Sequence, residues 1–173
     1  MPVSLHTHSW YSLLEGVSSP EALVARAVEG GHAALALTDT NNLFGALEFS
    51  DKIAGMGLQP LVGCSLAIDF RDARPKMPLL APGRSEPAAD PAGLVTLYPM
   101  NEAGWANLIK LASLAFLAPA PDEPVHVDIA DLAKHTEGLI ALSGGPDGPI
   151  DKALRAGQGE LAAKRLATLA RLF

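Results

Sequence analysis

Apolar and polar positions along this chain alternate with two periods, and together they predict a succession of short strands and amphipathic helices. Val3, Leu5 and Thr7 fall on one side of a short N-terminal strand, and Ser4, His6 and His8 on the other. Ser18-Ser-Pro-Glu21 has the form of a capping box with Pro20 near the first helical position, so a helix is predicted to start there. Leu23, Val24, Ala27 and Val28 make its apolar stripe, and Gly30-Gly31 ends it. Ala33–Thr38 reads as a buried strand, followed at its C-terminal end by the polar loop Asp39-Thr-Asn-Asn42. Leu43–Met56 reads as a helix with Phe44, Leu47, Phe49 and Ile53 turned to the core, and Pro60–Phe70 as the next strand. This strand–helix–strand–helix–strand order, with short connections, predicts parallel βα units in an α/β fold.

The pattern then breaks. Pro75, Pro78, Pro82, Pro87 and Pro91 fall within Arg71–Ala92, which predicts a mobile surface loop. Gly93–Tyr98 resumes a strand, and Asn101–Phe116 a helix whose apolar positions include Trp105, Leu108, Ile109 and Leu111, with Trp105 expected in the core. Ala118–Val127 is a second Pro-rich connection. Asp128 is placed to cap a short helix running through His135, and Gly138–Ser143 forms a strand. The turn Gly144–Gly148 leads to two last helices, Pro149–Ala156 and Glu160–Leu172.

Composition narrows the class. With 173 residues, 49% hydrophobic and 18% charged, the chain has the makeup of one globular domain able to bury a core. No apolar run approaches the ~20 residues of a membrane span, and no basic stretch followed by an apolar one opens the chain. The lone Cys64 rules out an internal disulfide framework and fits a reducing cytoplasm. It lies in an apolar strand and is expected to be buried and inert. The net charge of −6 is uneven: from Ile150 onward Lys152, Arg155, Lys164, Arg165 and Arg171 outnumber Asp151 and Glu160. An acidic body is a poor stand-alone nucleic-acid binder, and the basic end reads as a solvated helix face.

The chemistry concentrates at strand ends. His6 and His8, two residues apart on one strand face, can share a metal ion or a phosphate. Glu15, at the end of the Ser-rich loop that follows, can add an oxygen ligand. His8, Asp39 and Ser65 are read at the carboxyl ends of predicted strands, where active residues of βα folds collect.

Six blocks in order carry a resemblance. They are His6-Thr-His8, Ser12-Leu-Leu-Glu-Gly16, Leu37-Thr-Asp-Thr-Asn-Asn-Leu-Phe-Gly45, Pro60-Leu-Val-Gly63, Asn101-Glu-Ala-Gly-Trp-Ala-Asn-Leu108 and Glu137-Gly-Leu-Ile-Ala-Leu-Ser-Gly144. The chain resembles the PHP (polymerase and histidinol phosphatase) domain, and more narrowly the PHP domain that opens the α subunit of bacterial DNA polymerase III. The resemblance implies a distorted (β/α)7 barrel with a multi-metal site at the strand C-termini. About five βα units are readable here, too few to close such a barrel, so an incomplete barrel and an N-terminal portion of a longer subunit are expected. Active family members hydrolyse phosphoesters, and in some polymerases the site supplies a 3′–5′ exonuclease.

Carried over residue by residue, the family's metal ligands match His6, His8, Glu15 (in place of the usual aspartate) and Asp39. Thr40, Ser65, Leu94 and Gly145 stand where further ligands are expected and supply neither imidazole nor carboxylate. The resemblance therefore implies a vestigial site, holding at most one weakly bound Zn or Mn ion, and no catalytic residues in this segment. Mg would serve the parent polymerase elsewhere. The implied partners are the rest of the α subunit and the proofreading exonuclease subunit, with DNA reached only through the parent protein and no membrane involved.

Overall fold

The computed structural model describes residues 2–72 and 93–173, so the loop expected over 71–92 lies almost wholly outside the described residues. The first half is built as predicted. Strands β1 (Val3–Ser4), β2 (Ala34–Leu37) and β3 (Gln59–Val62) form a parallel sheet in the order β1-β2-β3. Helices α1 (Pro20–Glu29) and α2 (Ala46–Gly55) make its crossovers. The α1 N-terminus is capped by Ser19, whose side chain accepts from the Ala22 amide at 3.1 Å, one residue later than the box starting at Ser18 suggests. Val24, Ala27, Leu35, Leu37, Phe49 and Ile53 pack into one small core under this sheet.

The stretch expected as one strand over Pro60–Phe70 is instead two, divided at Gly63. The second piece, β4 (Cys64–Asp69), joins β5 (Gly93–Pro99), β6 (Val127–Asp128) and β7 (Leu139–Leu142) in a sheet of order β6-β4-β5-β7. A Cβ at position 63 would lie 2.7 Å from the Leu97 carbonyl oxygen and 2.8 Å from the Tyr98 ring, so only glycine lets β5 approach at the bend. This sheet departs from the parallel expectation: β5 is antiparallel to both β4 and β7, and only β6 runs parallel to β4. The register explains why. Ile68, near the end of β4, is opposite Gly93, the first residue of β5, so the chain re-enters the sheet at the end where it left.

The two sheets are joined where β2 is prolonged by its loop. Thr40 bridges Ser65 in parallel, the Ser65 amide donates to the Asp39 carbonyl at 3.1 Å, and the Asn41 amide donates to the Ser65 carbonyl at 2.9 Å. The described residues thus form the expected α/β fold, with seven short strands in two sheets where about five strands are readable in the sequence.

The main core lies between the second sheet and α3 (Glu102–Leu117), with Leu66, Ile68, Val95, Leu97, Leu108 and Leu111 fully buried. Asn101 caps α3 by accepting from the Gly104 amide at 2.9 Å. Three apolar residues expected inside are not there. Phe44 and Leu47 are 71% and 75% exposed, because α2 begins only at Ala46 and Phe49 and Ile53 define the face that meets the sheet. Trp105 is 38% exposed, one helical step off the Leu108–Leu111 stripe. With Ile109, Phe116 and Ile140, these three line an apolar groove of about 1370 Å3.

A short 3₁₀ turn (Gly145–Asp147) leads into α5 (Pro149–Arg155) and α6 (Gly159–Leu172). The short helix after Asp128 is α4 (Ile129–Leu132); it stops before His135, and Asp128 makes no side-chain cap there. Arg165, expected on a solvated face, is instead a clamp. It donates to Asp72 and to the Pro149 carbonyl, each at 2.8 Å, and lies over the Phe70 ring at 5.5 Å.

Cys64 is fully buried, as its setting in an apolar strand implied, and burial pushes its thiol up to about 12. Iodoacetamide at neutral pH should leave Cys64 unmodified in the native chain and alkylate it in urea, read by mass spectrometry. Fast native labelling would show that the β3–β4 bend opens.

Candidate functional site

A serine-rich loop carries the chain from β1 to α1, and one buried carboxylate holds it. Asp39 Oδ1 accepts from the Ser9 amide at 2.7 Å and from the Ser12 hydroxyl at 2.6 Å, while Oδ2 accepts from the Ser9 hydroxyl at 2.7 Å. The Ser12 oxygen in turn accepts from the Thr40 amide at 3.1 Å. Asn42 donates from Nδ2 to the Tyr11 and Thr40 carbonyls, both at 2.9 Å. Gly16 closes the loop against the Ser9 carbonyl, 1.9 Å from where a Cβ would stand.

This loop aims the imidazoles. The chain leaves β1 at Ser4 but stays on β2, the Thr38 amide donating to the Thr7 carbonyl at 2.9 Å. His6 and His8 end with ring centroids 4.7 Å apart. His8 Nδ1 lies 3.3 Å from Glu15 Oε2, and the same Glu15 oxygen accepts from the Thr40 hydroxyl at 2.5 Å. His6 Nδ1 lies 3.3 Å from the Thr96 hydroxyl, itself 3.0 Å from the Ser65 hydroxyl. His6, His8 and Glu15 line one pocket of about 740 Å3 together with Asn41, Leu94, Asp147 and Lys152.

Of the four residues proposed from the sequence, the structure brings His6, His8 and Glu15 together. Asp39 does not line the pocket; both its oxygens are taken up by Ser9 and Ser12. His8 Nε2 is buried without a hydrogen-bond partner, which suits one ion. Two imidazoles and the carboxylates of Glu15 and Asp147, with the Lys152 ammonium in the same lining offsetting one of those charges, are a small donor set for a cluster of ions. Burial, and after it the neighbouring His8, lowers the His6 pKa, against smaller opposite pulls from Asp147 and Glu15.

The PHP domain family model matches residues 4–173. The chain belongs to the PHP domain family. It is 40% identical over 172 residues to the DNA polymerase III subunit alpha of Caulobacter vibrioides, covering 99% of this chain and 14% of that protein. The same subunit of Treponema pallidum is 41% identical over 143 residues, covering 82% of this chain and 11% of that protein. That of Buchnera aphidicola subsp. Schizaphis graminum is 36% identical over 160 residues, covering 92% and 12%. The chain thus spans about one seventh or less of the length of these relatives.

Within this PHP domain the hydroxyls at the positions where the resemblance placed ligands do identifiable work. Thr40 holds Glu15, which meets His8; Ser65 meets Thr96, which meets His6. The sequence identified Thr40 and Ser65 as losses but gave no means of pairing Ser65 with Thr96, which needs the β4–β5 register. A second group went unnoticed. Asp69, His126 and Asp128 place ligand atoms within 4.8 Å of one another, an arrangement able to hold a metal ion. Its signal was present, since His126-Val-Asp128 has the same alternation as His6-Thr-His8.

Replacing Asp39 with Ala strands three buried donors and should cost about 3–5 kcal/mol in urea unfolding. A loss under about 1 kcal/mol would show that the loop is held otherwise. His6, with EDTA present, should titrate below 6.5 by NMR. The sign follows: the folded state disfavours the charged ring, so His6 costs no stability above pH 6.5 and destabilises progressively as pH falls below it. A midpoint above 6.5 would contradict this.

Proposed function

We propose that this chain serves as the PHP module of a bacterial replicative DNA polymerase III α subunit, acting in the cytoplasm as scaffold and docking surface rather than as a hydrolase. Template-directed nucleotide addition, and the Mg²⁺ it uses, belong in this reading to the remainder of the subunit. The observation that carries it is the pocket: two imidazoles and the Glu15 carboxylate are tied to one another and to hydroxyls, and only Asp147, offset by Lys152, adds a further charged donor to the lining. Hydrolysis by a metal cluster requires donors that fix two or more ions and activate water. At most one Zn or Mn ion fits the surviving set.

The proposed partners are the rest of the α subunit, packed on the apolar groove lined by Phe44, Leu47 and Trp105, and the proofreading exonuclease subunit. Support comes from the match to proteins about seven times longer and from apolar side chains left at the surface. DNA is reached only through the parent protein.

The chain with Mn²⁺ or Zn²⁺ should hydrolyse bis(p-nitrophenyl) phosphate no faster than its His6→Ala variant; turnover abolished by His6→Ala would overturn the scaffold role. Mixed with the remainder of the α subunit produced separately, it should be captured, and Trp105→Asp should weaken capture about tenfold or more. Undiminished capture by Trp105→Asp would remove the groove from the contact. A pull-down with the exonuclease subunit tests the second partner in the same way.

A further inference from the structure

Asp69 and Asp128 are register partners in the parallel pairing of β4 with β6, and His126 precedes β6 by one residue. Side chains of like charge at paired positions of adjacent strands repel unless a cation lies between them. His126 is only 5% exposed, and its Nδ1 lies 2.8 Å from the Pro124 carbonyl oxygen. A carbonyl only accepts, so Nδ1 carries the hydrogen and Nε2 is the nitrogen left to face the carboxylates. That Nε2 lies 3.6 Å from Asp128 Oδ1. An imidazole held this way through its other nitrogen is the form in which proteins present histidine to a metal.

In this structure the positive charge comes from Arg71. Its Nε lies 2.6 Å from Asp128 Oδ1 and 3.8 Å from Asp69 Oδ2, and its Nη2 donates to Asp128 Oδ2 at 2.7 Å. The Arg71 side chain is 52% exposed and can swing outward without crossing the core.

We propose that Asp69, His126 and Asp128 form a divalent-cation site for a zinc-class ion, separate from the His6–His8 pocket, with the Arg71 guanidinium as its exchangeable counter-ion. One imidazole and two carboxylates form a donor set that zinc and manganese accept. Bonds of about 2.0–2.2 Å around a tetrahedral ion separate neighbouring donors by roughly 3.4 Å, near the 3.6 Å already present between Nε2 and Oδ1. The three ligands come from two strand ends and leave a fourth position open. A permanent Arg71 ion pair with no metal is the competing account.

Zinc alone is titrated into the EDTA-stripped 173-residue chain, with bound metal and thermal stability both measured. One equivalent should bind, persist in the His6→Ala/His8→Ala double variant, and be lost in Asp128→Asn and His126→Ala. Because His126→Ala removes a buried ring, the exposed Arg71→Gln variant gives the independent readout. It should bind zinc about three- to fivefold more tightly, the reverse of an ion pair's usual contribution, and gain more thermal stabilisation from zinc than the wild type. Arg71→Gln binding no tighter than wild type, no zinc retained in the double variant, or unchanged stoichiometry in Asp128→Asn would each overturn the proposal.

Discussion

A carboxylate taken out of water is tolerated only where donors replace its lost hydration, and Asp39 finds three within 2.7 Å on a loop about thirty residues earlier. The position of that loop is therefore not free to vary. With its side chain Asp39 pins Ser9 and Ser12, and with its carbonyl it accepts from Ser65, the first link between the two sheets. His8 and Glu15 lie on or beside the pinned segment, and Cys64 lies directly beneath, its thiol 3.4 Å from the same carbonyl. One residue thus couples the loop, both sheets and the pocket floor.

The pocket built on that floor differs from a metal cluster in what balances its charges. Glu15 is satisfied by the Thr40 hydroxyl and by His8, and His6 by Thr96, so neutral hydrogen bonds take over part of the role that ions have in a ligand-rich site. These bonds knit the strand ends through side chains of the chain itself. Lys152 adds a positive charge to a lining that also carries Glu15 and Asp147. The Thr40 and Ser65 hydroxyls bridge elements of the fold at the positions where the resemblance placed ligands.

Much of this fold was legible because its signals are local. Pro20 and the serines before it mark the start of α1, Asn101 marks the start of α3, and the Val3–His8 alternation marks the shared site of His6 and His8. What escaped depends on partners distant in sequence. Leu61–Leu66 is mostly apolar, and nothing in it says that Gly63 must admit the Leu97 carbonyl. Asp39 at a strand end looks the same whether it faces a metal or two serines. Asp128 reads as a helix cap until β6 pairs with β4 and turns it toward Arg71. Phe44, Leu47 and Trp105 were legible as apolar, and periodicity reports that a face is apolar without naming what covers it.

That last distinction bears on how the proposed scaffold role is divided across the molecule. Asp39, satisfied within the chain, lies at the junction of the sheets, while apolar side chains left at the surface include Phe44 just before α2, Leu47 on α2 and Trp105 on α3. Polar groups that must be satisfied at the moment of folding are closed internally, because an unpaired buried carboxylate is costly in any intermediate state. Apolar side chains carry no such requirement: exposed, they forgo a gain rather than incur an unmet bond. A module that matures against a larger partner can therefore leave Trp105 and Phe44 for the partner to cover, but it cannot leave Asp39. The order of assembly follows from that asymmetry, with the polar junction set first and the apolar groove filled afterwards.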